Sequence, residues 1–306
     1  MNESKKYDFI DNAFCPCCSS NNLYIAFEKS FFNLPVLKCN ECGLHFIWDK
    51  NLTLNLEKYY DETYWDVFRN IKNKQIKNQQ TDNAYLIKKF PKFIQKFFDW
   101  TGVRKSLSRS QSWYLLPLLK KKHSLFELGS GEGFILEFFE KNGFDVFGME
   151  PSKINFSLIN RKLTYGKCVT GSADDIKSIK KKFDVIILSH VFEHLKDCKQ
   201  VLLDLKKILN PNGIIFIDVP NCSNLKTLHE SIFTQPHIFH FTKKSIESLS
   251  SSTGFSIIKA DFFYGKVSTF LDHIKYFLFW IFKKDFFIVS DQKNGNYLRI
   301  ILTNSD

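Results

Sequence analysis

The chain of 306 residues is 44% hydrophobic and 25% charged, ordinary values for a soluble globular protein, and its length suggests one large domain plus a smaller one. No apolar signal region follows Met1, and the most apolar window, Tyr276 to Phe282, is far shorter than the ~20 residues that cross a bilayer; a cytoplasmic protein, neither secreted nor membrane-spanning, is expected. The net charge of +11 is unevenly placed: residues 1–50 hold 5 Lys against 6 acids, residues 51–123 hold 15 Lys plus Arg against 6 acids, so any field that draws nucleic acid, anionic lipid or a phosphorylated substrate sits on the middle segment, where a plain solvated surface is the alternative.

The first element along the chain is a cysteine cluster. Five of the eight cysteines precede residue 43, while Cys168, Cys198 and Cys222 are scattered and read as ordinary reduced thiols. Cys15 and Cys18 form one C-x2-C step and Cys39 and Cys42 another, separated by 20 residues. That spacing is expected of a four-thiolate zinc site, with Gly43 permitting the tight backbone after the second pair. A tetrahedron closed by Cys15, Cys18, Cys39 and Cys42 has no open position for water, so the zinc would be structural and Cys17 the spare thiol. Disulfides are the alternative, but nothing indicates an oxidising compartment.

Next come an aromatic-acidic stretch, Tyr59 to Trp65, a polar stretch, Asn70 to Gln80, and a segment from Tyr85 to Phe98 that interleaves Lys with aromatics. Pro91 is suited to a helix start with Phe93, Ile94, Phe97 and Phe98 on one face, and Ser112 to Leu119 reads as a helix leading into the core. The interleaved segment, and Ile274 to Lys284 with the same chemistry, either rest on an anionic membrane surface or lie over an acceptor pocket as a lid.

From Ser124 onward short apolar runs alternate with helical patterns, as in a parallel α/β sheet. Seven strands are expected, at Ser124–Leu128, Phe144–Met149, Lys167–Thr170, Phe183–Ser189, Gly213–Val219, Phe255–Phe263 and Asn296–Leu302. Helices are expected at Phe134–Lys141, Lys153–Lys162, Cys198–Leu209 and Lys243–Ser252. The fold class is therefore α/β, a Rossmann-like, mostly parallel sheet sandwiched by helices, with a small N-terminal module and a helical connector.

The sharpest local signal is Leu125 to Phe134, a buried-looking strand that runs into Gly129-Ser130-Gly131-Glu132-Gly133 and then a helix. The glycines allow a sharp turn and close backbone approach to a ligand, and the helix start behind them offers free N–H groups. A dinucleotide binder uses G-x-G-x-x-G, whereas here the third Gly falls one residue early. G-x-G-x-G preceded by an acid resembles motif I of the S-adenosylmethionine (SAM)-dependent class I methyltransferases. The resemblance extends to Gly148 to Pro151, to Gly171 to Asp175, to Phe183 to Leu195 and to Leu209 to Gly213. It implies that Glu127 faces the methionine amino group and Glu150 the ribose hydroxyls, with Gly129, Ser130, Gly131, Gly133 and Pro151 around the cofactor. Ala173 and Asp174 are then placed at the adenine, and Ser189 and His190 at the end of the fourth strand. The ribbon, the Tyr-rich acidic stretch, Pro220-Asn221 and His237 to Thr242 further resemble bacterial methyltransferases of sugar and polysaccharide biosynthesis, including sugar C-methyltransferases. On that basis residues 1–58 are the zinc ribbon, 59–122 the basic connector or lid, and 123–306 the methyltransferase domain, with a core of 123–221 and an acceptor-side segment of 222–306.

Methyl transfer to a hydroxyl or carbon acid calls for a proton acceptor, and His is suited to that task near neutral pH. His237, His190 and His194 are the candidates, with Glu193 nearby. The sugar C-methyltransferases use a Glu-His pair at the matching place, where Pro236 here replaces the Glu before His237. His190, Glu193 and His194 stand at i, i+3 and i+4, one face if the turn is helical, and quinone-pathway and small-RNA methyltransferases with a similar step hold a divalent ion there. The expected substrate is a sugar nucleotide or glycan precursor, with a phenolic or quinone-type acceptor and a second metal as the alternative. A nucleic-acid or protein-binding ribbon on a non-catalytic SAM fold is the other; the ribbon lacks a basic footprint, and the intact glycines and Glu150 speak against a dead site.

Overall fold

The computed structural model describes residues 13–49, 103–119, 123–265, 274, 275, 278 and 287–305. Tyr59 to Trp65, Asn70 to Gln80, Tyr85 to Phe98 and most of Ile274 to Lys284 lie outside the described residues. Among those described, no helix is long and apolar enough to cross a membrane.

Five strands form the parallel half of the main sheet: β4 (Ser124–Leu128), β5 (Asp145–Glu150), β6 (Lys167–Thr170), β7 (Phe183–Ser189) and β8 (Leu209–Pro220). They lie in the order β6-β5-β4-β7-β8. In the middle of that order Leu125, Phe126, Val185, Ile186, Ile187 and Leu188 are fully buried, as strands covered by helices on both faces must be. The helices are α2 (Phe134–Lys141), α3 (Lys153–Lys162) and α4 (Cys198–Ile208). Ser152 caps α3 and Asp197 caps α4 by accepting from the backbone N–H three residues on.

Beyond β8 the sheet turns antiparallel through β12 (Tyr297–Asn304), β10 (Phe255–Tyr264) and β11 (Ile288–Ser290). Among the described residues the sheet thus has eight strands where the sequence suggested seven. The unforeseen β11 is three residues long and exposes Ile288 and Val289, so it lacks the alternation by which half-buried strands are recognised. Two further helices, α5 (Leu225–Phe233) and α6 (Lys243–Ser252), flank a short extended segment; α5 was not anticipated, although Asn224 caps it by accepting from Lys226 N and Thr227 N.

The helix before the sheet, α1 (Val103–Leu115), already runs at Val103, nine residues before the Ser112 start expected. Its buried face is polar: Ser106, Ser110, Gln111 and Ser112 are all inaccessible. A periodicity test that looks for apolar residues misses such a face. What it faces is Arg299, fully buried on β12, whose Nε donates to Asp218 Oδ2 at 2.9 Å and whose Nη2 donates to Ser110 Oγ at 2.8 Å. Gln111 Nε2 donates to the same carboxylate oxygen at 2.8 Å, and the guanidinium stacks 4.0 Å from the Phe263 ring centre. Removing one partner leaves a buried charge uncompensated, so Arg299→Ala is expected to lower stability by about 3–5 kcal/mol. Urea unfolding checks this, and an unchanged midpoint would count against it.

The cysteine module is a small antiparallel sheet of β1 (Leu23–Phe27), β2 (Val36–Cys39) and β3 (His45–Ile47). Its fourth strand, β9 (Phe239–His240), comes from between α5 and α6, with His45 opposite His240 and Phe46 opposite Phe239. One apolar core runs from the module into the main sheet.

Candidate active site

The turn after β4 is built from left-handed backbone. Gly129, Gly131 and Gly133 have φ of +69°, +54° and +74°, values that side chains other than hydrogen rarely accept. A Cβ on Gly129 would also stand 2.4 Å from Val191 Cγ2, whereas one on Gly131 would meet nothing within 4 Å. Gly131 therefore opens onto free space. Gly133 does not line that space; it is the N-cap of α2, where a Cβ would stand 2.8 Å from Ile159.

Two carboxylates flank the turn. Glu150, the last residue of β5, is buried; its Oε2 accepts from Gly131 N at 2.8 Å and its Oε1 from Ser152 N at 3.0 Å. Asn155 Nδ2 also donates to Oε1 at 3.5 Å, so the carboxylate is fixed in place beside the turn. Glu127 is 3% exposed, and its Oε2 has no hydrogen-bond partner. Burial, and then the nearby Glu150 charge, hold the Glu127 carboxyl well above the usual range. A ligand ammonium would supply the missing partner, so these residues fit an amino-acid-bearing nucleoside such as SAM.

The turn borders a cavity of about 1010 Å³. Glu127, Gly129, Ser130, Gly131, Glu150, Pro151, Ala173 and Asp174 line it, as do Ser189, His190, Glu193, His194 and His237. Both sets of candidates named from the sequence, Gly133 apart, thus face one space at the carboxyl edge of the parallel strands, where open α/β sheets bind ligands.

The wall opposite the turn is a histidine-carboxylate cluster. His190 follows β7 with φ +52°, a left-handed conformation that costs a non-glycine residue about 1–3 kcal/mol. Its Nδ1 lies 3.2 Å from Glu193 Oε1 and its Nε2 3.9 Å from Asp218 Oδ1. Burial pulls the His190 pKa down, but the hydrogen bond and charge of Glu193, with Asp218, outweigh it and leave the pKa raised. Glu193 is 1% exposed with Oε2 unpartnered. Phe192–His194 is a single 3-10 turn, and with His190 left-handed before it, His190, Glu193 and His194 do not form one helical face as the spacing suggested.

What gathers around Glu193 instead comes from two segments. His194 Nδ1 lies 3.1 Å from the Pro236 carbonyl, to which only a protonated Nδ1 can bond, so the proton of the neutral ring is on Nδ1. His237 Nε2 lies 3.9 Å from Glu193 Oε1, and its Nδ1 is 2.7 Å from Ser231 Oγ. Burial, and then His194 and its neighbours, hold the His237 pKa well below the ordinary value, so the ring is neutral near pH 7. Ligand atoms of Glu193, His194 and His237 lie within 4.8 Å of one another, close enough to hold a metal. Ser231 also meets His240 Nδ1 at 2.8 Å, and the edge of Tyr297 meets His190 at 5.5 Å between ring centres. Sequence reasoning missed Ser231, Tyr297 and Asp218. Ser231 sits on the unforeseen α5, and the other two looked like ordinary strand residues.

The family model of the methyltransferase domain matches residues 93–260, more than half of the chain. The chain belongs to this family, the class I SAM-dependent methyltransferases. An uncharacterized methyltransferase of Alkaliphilus oremlandii is 36% identical over 100 residues, 32% of this chain and 46% of that protein. The ubiquinone biosynthesis O-methyltransferase of Pelagibacter ubique is 30% identical over 116 residues, 37% of this chain and 47% of that protein. The chain thus spans about half the length of these curated relatives. Among solved structures, a SAM-dependent methyltransferase from Archaeoglobus fulgidus superposes with a TM-score of 0.51 at 18% identity, over 69% of this chain and 98% of that one. The magnesium protoporphyrin IX methyltransferase from Synechocystis, with bound SAH, gives a TM-score of 0.50 at 16% identity, over 84% and 100%. Both share the fold.

The chain carries its cysteine cluster next to Thr242, whose Oγ1 donates to the Cys42 carbonyl at 3.1 Å. Cys15 Sγ lies 3.4 Å from Cys42 Sγ, Cys18 Sγ lies 3.5 Å from Cys39 Sγ, and all four sulfurs lie within 4.8 Å. Four sulfurs so gathered fit a tetrahedral thiolate site. Cys17 stays out of the set; its hydrogen bond with Cys15, and then burial, hold its thiol protonated.

Proposed function

We propose that this methyltransferase uses SAM to methylate an oxygen or carbon of a small-molecule acceptor, a sugar nucleotide or glycan precursor, and carries a structural zinc on its four clustered cysteines. The observation that carries this reading is one cavity bordered on one side by the Gly129–Gly131 turn with two buried carboxylates and on the other by the histidine-carboxylate cluster. SAM, when bound, supplies a methyl group on a sulfonium sulfur. The chain's own residues orient both partners and manage the proton: Glu127 and Glu150 hold the donor, and the acceptor lies toward His190 and His237. Neutral His237, with its proton on Nδ1 toward Ser231, takes the acceptor's proton at Nε2, and Glu193 beside it offsets the new charge. The sugar-type acceptor is supported by the resemblance of the ribbon and of the His237 to Thr242 stretch.

Incubating a panel of sugar nucleotides with the enzyme and SAM, and reading the mass gain of one methyl group, tests the acceptor class. On the acceptor so found, His237→Ala is expected to lower kcat by about 10²–10⁴-fold with little change in SAM affinity. A smaller drop, or an equal one in His190→Ala alone, would move the base to His190.

A second reading is favoured by the approach of Glu193, His194 and His237. These residues would hold a divalent ion that orients a phenolic or quinone-type acceptor, with the Pro236 carbonyl fixing one ring and Ser231 the other. Metal analysis separates the two readings: one zinc per chain supports the first, and a second equivalent lost in Glu193→Gln supports this one.

A further inference from the structure

Several contacts tie the cysteine module to one short stretch of the body. Phe31 N donates to the Ile232 carbonyl at 2.8 Å, and Ile47 N donates to the Ile238 carbonyl at 2.9 Å. β3 pairs with β9 through His45 and Phe46. Thr242 Oγ1 donates at 3.1 Å to the carbonyl of Cys42, itself one of the four clustered cysteines. Phe27 meets Phe233 edge to face at 5.6 Å between ring centres. The stretch so gripped carries His237 and brings His240 to Ser231.

That stretch has little regular structure of its own. Between the end of α5 at Phe233 and the start of α6 at Lys243, its one ladder is the two-residue β9, and that ladder is to β3. The body holds the stretch through Ile238 N, which donates to the Glu193 carbonyl at 2.9 Å, and through the Phe241 carbonyl, which accepts from Cys222 N at 3.0 Å; the two residues of pairing add to these ties only if the partner strand is itself fixed. The partner belongs to a sheet of strands three to five residues long, small enough that, beside the apolar core it shares with the body, it relies on a staple. The staple at hand is the cysteine cluster, whose second pair flanks the turn that feeds β3. The cofactor side is held otherwise: Gly129 N donates to the Met149 carbonyl at 2.8 Å, within the main sheet.

We infer that the four-cysteine module is a positioning element for the acceptor wall: metal on Cys15, Cys18, Cys39 and Cys42 fixes β3, β3 fixes β9, and the segment from Ile232 to Thr242 then holds His237 against Ser231 and Glu193. The functional consequence rests on the role proposed for His237. Loss of the metal therefore disturbs the acceptor wall and spares the SAM side.

The experiment uses the full-length enzyme, stripped of metal by a chelator and then reloaded with zinc. After stripping, amides of residues 231–242 are expected to exchange hydrogen at least ~10-fold faster, while amides of β4 and β5 keep their protection. SAM affinity by calorimetry stays unchanged, which also verifies that the main sheet remains folded. Turnover of the acceptor identified in the panel falls on the order of 10²-fold, the loss typical of a misplaced catalytic group, and returns with zinc. Thr242→Val, which leaves every thiol in place, produces a smaller increase in exchange at the same amides. Unchanged exchange at 231–242 after the metal has left, or SAM affinity falling in parallel with turnover, would overturn the inference. Exchange and affinity need no acceptor, so a fully active His237→Ala enzyme would remove the base assignment without altering the test of the clamp.

Discussion

Glu150→Ala and Gly131→Val are each expected to abolish measurable SAM binding while leaving the fold intact. Glu150 has two duties. Toward the protein it accepts from Gly131 N and Ser152 N, which holds the turn in its left-handed course. Toward the ligand, in the role proposed for it, its carboxylate would accept from two ribose hydroxyls, each bond to a charged group being worth about 1.5–3 kcal/mol. Losing both ligand bonds costs about 3–6 kcal/mol, or about two to four orders of magnitude in Kd, before any loosening of the turn is added. Gly131→Val acts differently: the site has room for a Cβ, so its cost arises from φ +54° and from a side chain standing where the ligand must pass. Calorimetry with circular dichroism as the control reads both effects. Unchanged affinity in the two variants would sink the cofactor assignment.

Cys39→Ser is expected to release the zinc and to melt the N-terminal module, whereas Cys17→Ser keeps one zinc per chain. A four-thiolate zinc site contributes about 10–16 kcal/mol of apparent binding free energy in small modules near neutral pH, and that binding is also folding free energy. Burial of Leu37, Leu44 and Phe46 in the core shared with the body adds to it. The contrast between two buried cysteines is the informative part, because Cys39 lies within the sulfur cluster and Cys17 outside it. Elemental analysis beside thermal unfolding checks the pair. Zinc lost with Cys17→Ser, or retained with Cys39→Ser, would refute the ligand set.

What was legible in the sequence is whatever is written contiguously. The Gly129 to Gly133 turn, the two C-x2-C steps and the strands Ser124–Leu128, Lys167–Thr170 and Phe183–Ser189 emerge at the residues expected. Each is set by local backbone needs or by a short run of strand-forming residues, buried on both faces in Ser124–Leu128 and Phe183–Ser189 and only in part in Lys167–Thr170, and neighbouring residues alone record such constraints. Residues whose role depends on a distant partner left no such record. The polar face of α1 is buried because Arg299 and Asp218 wait for it across the sheet. Ser231 matters because α5 brings its hydroxyl between His237 and His240.

The sequence by itself therefore determined the class of protein, the glycine turn after the first strand of the parallel sheet and the four cysteines that gather, all local in the chain. Only the tertiary structure decided that Glu193, His194 and His237 meet around one point, that His190 leaves its expected helical face by a left-handed turn, and that the cysteine module borrows β9 from the catalytic body. A pattern of polarity shows which side of a segment is buried, but not which other segment covers it; that choice is made when the whole core packs at once.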